Sequence, residues 1–312
     1  MRVPLHTEGR PPTPILGRRS DPAQAIWDEK HENEIGSSWT NNPLVVSAIE
    51  LRQTGQVGRF WLGWLFEEQL KEPVERVLSI GCGAGGHEIM IAHEGWANQI
   101  DAFDASSGGI ERARSHAAEL SLNNIDFRVS TFEEFAENGP DAPLYDVVLF
   151  AGSLHHVRDL EGMLSRVRRC LKADGRVLFN EYVGPLYAIY PPERVAILNR
   201  VLRSIPAEYK REPDIQWVNP TIDDVMRLDP SEGVRSAILL DVLEMYFDFE
   251  LKIDFGGGLL HPIFDLLDTK RLADGSVDSG AVVSMLVETE DLLTEYGVID
   301  SDMSFGICRH KS

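Results

Sequence analysis

A glycine-rich turn placed directly after a short apolar run is the feature that most constrains the fold of this chain. Residues 76–80 are mostly apolar, and Gly81, Gly83, Gly85 and Gly86 follow them. Glycines let the backbone approach a ligand closely, and the first amides of a following helix point toward anionic or polar groups. The pattern therefore predicts a strand, a tight turn and a helix that together bind a ligand.

Short apolar runs alternate with helical patterns from Glu75 onward. Such alternation is typical of a mainly parallel sheet covered by helices on both faces, so we predict an α/β, doubly wound, Rossmann-like fold. Core strands are expected at residues 76–80, 125–129, 145–150 and 176–182, and in a run that ends at Asp104. Helices are expected at residues 57–70, 87–96 and 279–296, and two further strands at 249–254 and 303–308.

Asp104 lies 23 residues beyond Gly81, at the expected end of the second strand. A carboxylate at this place can accept hydrogen bonds from ribose hydroxyls, so the turn and Asp104 together predict a nucleoside-containing ligand. Gly81, Gly83 and Gly86 also satisfy the dinucleotide fingerprint. An NAD(P)-dependent oxidoreductase is therefore an alternative at this point.

Charge and cysteine content narrow the classes of function. Lys and Arg total 30 against 50 for Asp and Glu, and the net charge of -20 would repel a phosphate backbone, so nucleic acid is not expected as a partner. No apolar run approaches membrane-spanning length, so no membrane partner is expected. Cys82, Cys170 and Cys308 have no metal-ligand spacing, and their sparse, odd-numbered use favours a reducing, cytoplasmic compartment.

The segment 77–85, VLSIGCGAG, resembles the first motif of class I methyltransferases that depend on S-adenosylmethionine (SAM). The resemblance is strongest to the branch related to the ubiquinone and menaquinone C-methyltransferases. Residues 146–150, DVVLF, and 153–157, SLHHV, resemble later elements of that branch in order and spacing. The resemblance covers residues 75–182, and it implies an enzyme with SAM as its cofactor and a seventh strand that runs antiparallel.

The resemblance also implies which residues hold the cofactor. In the family, the acidic end of strand two holds the ribose, which corresponds to Asp104. The loop after strand three, here Ser130 to Phe132, borders the adenine. The expected cofactor-binding residues are Gly81, Cys82, Gly83, Ala84, Gly85, Asp104, Ala105, Thr131, Phe132, Ala151, Gly152 and Ser153.

Two positions depart from the family pattern. The family usually has an acidic residue where Ser79 stands, and often an aspartate where Thr131 stands. Glu88, in the first turn of the next helix, could supply the lost carboxylate, or it could be a solvent-facing glutamate that complements the helix dipole. The loss at Ser79 also leaves open a protein that binds SAM, or its demethylated product S-adenosylhomocysteine (SAH), without transferring a methyl group.

His155 and His156 are the best candidates for a general base. The sulfonium group of SAM already activates the methyl group, so the protein chiefly has to align a nucleophile and remove a proton. The segment after strand four faces the methyl group in this fold, and imidazole titrates near neutral pH. One histidine could instead position the loop. Glu181, at the end of strand five, is the third catalytic candidate, although it could simply terminate that strand.

Residues 183–247 are expected to form a helical cap insertion, with helices at 191–205 and 231–247 separated by a polar, proline-containing stretch. Its aromatic side chains could enclose a substrate and its arginines could bind a carboxylate or phosphate, or both could serve packing and surface salt bridges. The substrate-binding candidates are Tyr182, Tyr187, Tyr190, Arg194 and Arg235.

The remaining segments complete the predicted organisation. Residues 1–25 are expected to be a flexible arm, 26–74 helices that cover the site, 75–182 the SAM-binding core, and 248–312 the strands and helix that complete the sheet.

The predicted function is methyl transfer to an oxygen, nitrogen or activated carbon of a small-molecule metabolite in a biosynthetic role. No histidine or acidic cluster has metal-ligand spacing, so no metal is predicted. The oligomeric state is not readable from the sequence.

Overall fold

The computed structural model describes residues 39–311, which contain a seven-stranded sheet in the order β3-β2-β1-β4-β5-β7-β6. Strands β1 to β5 pair in parallel, whereas β7 runs antiparallel to both β5 and β6. The predicted fold class and the antiparallel last strand are thereby confirmed. The strands are β1 (Val74–Ile80), β2 (Ala97–Asp104), β3 (Ile125–Val129), β4 (Tyr145–Ala151), β5 (Leu171–Tyr182), β6 (Phe247–Gly256) and β7 (Met303–His310).

Helices cover both faces of the sheet. The core helices are α1 (Pro43–Thr54), α2 (Trp61–Trp64, continued by a π-helical segment Leu65–Leu70), α3 (Gly86–His93), α4 (Ser107–Glu119), α5 (Phe132–Asn138) and α6 (Leu160–Cys170). The later helices are α7 (Pro192–Ser204), α8 (Ile222–Leu228), α9 (Leu239–Tyr246), α10 (Leu260–Phe264), α11 (Thr269–Leu272) and α12 (Val277–Glu295). The predicted arm of residues 1–25, and residues 26–38 of the predicted covering helices, lie outside the described residues.

Alternation along the central strands explains why the sheet is buried on both faces. Val147 and Leu149 of β4 belong to one apolar cluster, whereas Val148 and Phe150 belong to another on the opposite face. Successive side chains of a strand point to opposite faces, so a fully apolar strand requires cover on both sides. Helix α6 covers one face with Leu164, among other residues, and the other cluster draws on helices α2 and α3 and on the later helices.

The predicted helix at residues 231–247 is wrong in its first part. The chain forms turns until a short 3-10 segment at Ser236–Ile238, α9 follows, and Phe247 already begins β6. Gly233 adopts a left-handed backbone (φ 57°) and its carbonyl accepts from the amides of Tyr187 and Ser236, which prevents a continuous helix. Helix α8 was missed, although Thr221 and Asp224 form a capping box at its start.

Other boundaries differ by a few residues. The helix predicted at 57–70 begins at Trp61, and Val57 is exposed. Helix α3 ends at His93 rather than Trp96, and β5 begins at Leu171 rather than residue 176, with an irregular register opposite β4. No helix within residues 39–311 is long and apolar enough to cross a bilayer.

A buried ion pair joins α7 to the residue that directly precedes the last strand. The Arg194 guanidinium, on α7, donates to both carboxylate oxygens of Asp302 at 3.0 and 2.9 Å, and to the carbonyl of Gly258 at 3.0 and 2.6 Å. The side chains of Arg194 and Asp302 are 9% and 1% exposed. Arg235 instead pairs with Glu161 at 2.7 Å in a half-exposed position.

Substitutions of these two arginines are expected to change the free energy of unfolding by very different amounts. Replacing Arg194 by Met leaves the Asp302 carboxylate buried without its cation, so Arg194→Met is expected to lower the free energy of unfolding by about 3–5 kcal/mol. Arg235→Met is the matched control and is expected to cost at most about 1 kcal/mol, because exposed pairs contribute little. Urea unfolding measures both variants, and equal losses would contradict the assignment of Arg194 as a structural residue.

Candidate functional site

The carboxyl ends of β1, β2 and β4 enclose a cavity of about 290 Å³, close to the lower end of the range of roughly 300–1,000 Å³ that is typical of ligand pockets. Every predicted cofactor residue except Gly85 lines it. The lining residues are Gly81, Cys82, Gly83, Ala84, His87, Asp104, Ala105, Ser130, Thr131, Phe132, Glu133, Ala151, Gly152, Ser153, His156, Arg158 and Ser231.

The glycine turn has a backbone that only glycine adopts easily. Gly81, Gly83 and Gly85 have φ values of 73°, 54° and 78°, all in the left-handed region. A Cβ at Gly81 would lie 2.5 Å from the Cβ of Ser153, so the turn and the loop after β4 are in close contact. A Cβ at Gly85 would lie 2.7 Å from the Phe127 ring. Gly85 therefore supports the turn by close packing underneath it.

The Asp104 carboxylate is fixed beside the turn by backbone amides. Its Oδ2 accepts from the amide of Gly83 at 2.9 Å, and its Oδ1 accepts from the amide of Ser106 at 2.8 Å. A carboxylate can accept about four hydrogen bonds, so this anchoring is compatible with further bonds from ribose hydroxyls. Asp104 therefore lines the cavity as a fixed carboxylate next to the glycine turn.

Thr131 begins helix α5 at the other side of the cavity. Its hydroxyl accepts from the amide of Glu134 at 3.1 Å, and the Glu134 side chain accepts from the amide of Thr131 at 3.3 Å. This capping box explains why a threonine can stand where the family often has an aspartate, because both residue types cap helices.

Glu88 faces Ser79, the position where the family usually has an acid. The Ser79 hydroxyl donates to Oε1 of Glu88 in a short hydrogen bond, and Glu88 is only 1% exposed. Its Oε2 is buried and has no hydrogen-bond partner among the described residues. Burial raises the pKa of Glu88 to about 7, against the opposing effect of the Ser79 bond. The solvent-facing alternative for Glu88 is therefore wrong, and a carboxyl group does lie beside the unusual serine.

Glu181 organises the loop after β4. Its Oε1 accepts from the amides of Ser153 and Leu154 at 3.0 and 2.9 Å, and its Oε2 pairs with Nδ1 of His155 at 2.6 Å. The residue is 1% exposed, at the end of β5. These bonds hold the short 3-10 segment Leu154–His156 in place.

The two histidines have different surroundings. His156 lines the cavity, and its Nδ1 lies 3.2 Å from the hydroxyl of Ser231, which donates to Asp229 at 2.6 Å. Burial, followed by the charge of His155, lowers the pKa of His156 to about 4. Burial also acts to lower the pKa of His155, but the hydrogen bond and charge of Glu181, with Glu232, raise it overall. His155 is not among the cavity-lining residues.

The structure does not bring the predicted substrate residues to the cavity wall. Tyr182 donates its hydroxyl to the carbonyl of Pro185 at 2.9 Å and stands edge-on to His155. Tyr190 is buried with the Arg194 guanidinium over its ring, and Tyr187 lies in a strained left-handed turn. Arg194 and Arg235 each form an ion pair with a carboxylate of this chain, so neither guanidinium is positioned to bind an anionic substrate group.

Several cavity residues were missed by the sequence analysis. Ser231 lies in the turn after Pro230, which was assigned to a helix, so no local pattern pointed to it. His87 directly follows the glycine turn and is half-buried, with its ring near those of Phe60 and Trp61, and desolvation lowers its pKa to about 4. Its position directly after the glycine turn is the sequence signal that could have identified it as a cavity residue. Glu133 and Arg158 complete the missed set.

Comparison with known proteins places the chain in a family. A family model described as a methyltransferase domain matches residues 71–222. A ubiquinone biosynthesis O-methyltransferase of Caulobacter vibrioides (strain ATCC 19089 / CIP 103742 / CB 15) is 31% identical over 174 residues, which cover 55% of this chain and 61% of the relative. An aklanonic acid methyltransferase of Streptomyces sp. (strain C5) is 30% identical over 160 residues, which cover 49% of this chain and 71% of the relative. This chain belongs to the class I SAM-dependent methyltransferase family.

Among solved structures, a geranyl diphosphate C-methyltransferase from Streptomyces coelicolor A3(2), crystallised with Mg²⁺, geranyl diphosphate and SAH, superposes with a TM-score of 0.48. It is 13% identical, and the match covers 93% of this chain and 86% of that one. The resemblance based on the glycine turn and the SLHHV segment is confirmed by the sequence comparisons, and so is SAM as the cofactor of the family. These comparisons favour a methyltransferase over the alternative of an NAD(P)-dependent oxidoreductase.

The residues of the cavity fit a SAM molecule. The backbone of the glycine turn lines the cavity, and the Asp104 carboxylate lies beside it, where it accepts from the amide of Gly83. The ends of β3 and β4 contribute Ser130 to Phe132 and Ala151 to Ser153 to the same wall. Each strand end that the resemblance assigned to the cofactor is therefore represented.

The raised pKa of Glu88 predicts a pH-dependent stability. Between its unfolded value near 4.5 and about 7, the folded protein holds a proton that the unfolded chain has lost. The free energy of unfolding is therefore expected to fall across this window as pH rises, by at most roughly 3 kcal/mol. Glu88→Gln removes this contribution, so its stability relative to wild type should increase from pH 5 to pH 7.5 in urea unfolding.

Glu119→Gln, at an exposed position at the end of α4, is the control for the change in net charge. It should leave the difference from wild type nearly independent of pH. Parallel stability curves for Glu88→Gln and wild type would show that Glu88 is ionised in the folded protein at all these pH values.

Proposed function

We propose that this chain transfers the methyl group of SAM to an oxygen, nitrogen or activated carbon of a small-molecule metabolite. The observation that carries the proposal is that the glycine turn, Asp104 and His156 all line the same cavity. Cofactor-binding groups and a candidate proton acceptor are thus within one enclosed volume. The net charge of -20 supports a metabolite rather than a nucleic acid as the acceptor.

The cofactor would be held by the loops at the strand ends. SAM supplies a methyl group activated by its sulfonium, so the protein needs chiefly to orient the acceptor and to take up its proton. Asp104 would bind the ribose hydroxyls, and Phe132 and its neighbours would border the adenine. The amides of the glycine turn and the start of α3 would bind the polar methionine end.

His156 is the proposed proton acceptor among the three catalytic candidates. It lines the cavity, and its low pKa keeps the ring neutral near pH 7. The bond to Ser231, whose own proton goes to Asp229, assigns the ring proton to Nδ1 and leaves the lone pair on Nε2. His155 and Glu181 are proposed as positioning residues, because Glu181 holds both the loop and the neighbouring ring.

Cofactor binding can be tested by calorimetry with SAM, SAH, NAD⁺ and NADP⁺. The wild-type chain is expected to bind SAM and SAH and neither nicotinamide dinucleotide. Asp104→Ala removes charge-assisted hydrogen bonds and should weaken SAH binding roughly 10- to 100-fold, with a smaller loss in Asp104→Asn. Asp126→Asn, at a half-exposed position of β3 that does not line the cavity, is the control and should bind normally. Tight nicotinamide binding without SAM binding would overturn the proposal.

Proton transfer can be tested by separating turnover from cofactor affinity. His156→Ala is expected to lower kcat by about 100- to 10,000-fold while SAH affinity changes little, because a general base acts only on the reacting proton. The readout is SAH release across a panel of hydroxyl and amine acceptors. His116→Ala, an exposed histidine on α4, is the control.

Unchanged turnover in both His155→Ala and His156→Ala would remove the proposed role of the pair. Binding of SAM by the wild-type chain with no SAH formed from any acceptor would favour the non-catalytic SAM-binding alternative.

A further inference from the structure

Three side chains from distant parts of the chain converge beside the cavity. His155, His156 and Glu232 each offer one nitrogen or oxygen ligand atom, and these atoms all lie within 4.8 Å of one another. Nε2 of His155 is 3.7 Å from Oε1 of Glu232, and Nε2 of His156 is 4.0 Å from its Oε2. These distances are too long for hydrogen bonds. They are close to the separation of about 3.4 Å between ligand atoms of a tetrahedral zinc ion with bonds of about 2.0–2.1 Å.

Both imidazole rings are oriented as metal-binding histidines are. The Nδ1 of His155 pairs with the Glu181 carboxylate, and the Nδ1 of His156 is held by Ser231, which is itself bonded to Asp229. Histidine ligands of metals almost always donate the other ring N–H to a carboxylate or similar acceptor, which fixes the tautomer. Here this arrangement directs both Nε2 atoms toward the same carboxylate.

The position of the cluster makes it accessible from two sides. The two histidine side chains are 9% and 7% exposed, whereas Glu232 is 43% exposed and opens to solvent. His156 and Ser231 also line the cavity. Three protein ligands leave a fourth position of a tetrahedral ion for water or substrate, as in catalytic zinc sites. That position would adjoin the cavity in which the methyl acceptor binds.

We propose that His155, His156 and Glu232 form a binding site for a divalent transition-metal ion such as Zn²⁺, at the acceptor side of the cavity. Imidazole and carboxylate ligands suit this class of ion. The sequence analysis predicted no metal because Glu232 is far from the histidines in the chain and lies in a turn that was assigned to a helix.

The inference rests on the proposed function and narrows its acceptor to an oxygen compound. An acceptor hydroxyl bound at the open position has a lowered pKa and loses its proton to water. The oxygen lone pair then forms the C–O bond to the methyl carbon, and the C–S bond breaks with its electron pair remaining on sulfur, which gives SAH. In this form the two Nε2 lone pairs ligate the ion, whereas in the ion-free chain His156 takes the proton itself.

The test is a titration of the full chain with ZnCl₂ by calorimetry after treatment with a chelator, without SAM or acceptor. Co²⁺ provides a second probe, because its visible absorption reports tetrahedral coordination. One ion per chain is expected. Glu232→Gln and His156→Ala should each weaken Zn²⁺ binding at least 10-fold and abolish the tetrahedral Co²⁺ spectrum. His116→Ala and Glu119→Gln, which remove an exposed histidine and glutamate of α4, are matched controls and should bind as wild type does.

SAH binding measured on the same samples keeps the two proposals separate. The Glu232 side chain is 43% exposed and does not line the cavity, so Glu232→Gln should remain folded and bind SAH normally. Absence of Zn²⁺ binding in a wild-type chain that binds SAH would overturn the metal site and leave the proposed function intact. Zn²⁺ binding that is equal in Glu232→Gln, His156→Ala and wild type would also overturn it. Zn²⁺ binding without SAH binding would count against the proposed function alone.

Discussion

The arrangement of the site depends on the hydrogen bonds that the buried carboxylate of Glu181 accepts. It accepts from backbone amides of the loop after β4 and from the His155 ring, so it joins the ends of β4 and β5. Ser153 of the same loop donates to the carbonyl of Ile80 at 2.6 Å, which joins the loop to β1. Three strand ends are therefore held in one rigid unit, and the position of His156 follows from it. A buried carboxylate requires such a complete set of donors.

The glycine turn contributes to this unit through close contact. Gly81 packs so closely against Ser153 that no side chain fits at that position, and the amide of Gly83 binds Asp104. A change in the loop after β4 would therefore be transmitted to the turn, and from the turn to the residue proposed to bind the ribose. The glycine turn and the loop that carries the histidines are thus in direct contact, although they follow separate strands.

Long-range partners decide the roles of several polar side chains. Arg194 was a candidate for substrate binding because an arginine in a cap can bind an anion, but Asp302 and the carbonyl of Gly258 already satisfy its guanidinium. The sequence allows Glu88 to be either a replacement acid or a surface residue, but the side chain is buried and accepts a hydrogen bond from Ser79. In both residues the sequence gives the chemical group, and the fold gives its partner.

The sequence by itself determined the architecture and most of the residues that line the cavity. Strand and helix periodicity, the glycine turn and Asp104 are local patterns, because each strand must bury both faces and each parallel strand ends at the same edge. The strands β2 and β3 end where they were predicted, and the predicted cofactor residues line the cavity apart from Gly85. Only the tertiary structure decided which histidine faces the cavity and that Ser231 and Glu232 stand beside it. Those contacts join residues about 75 positions apart through a turn whose conformation depends on Gly233 and its distant partners, and no local periodicity encodes such a contact.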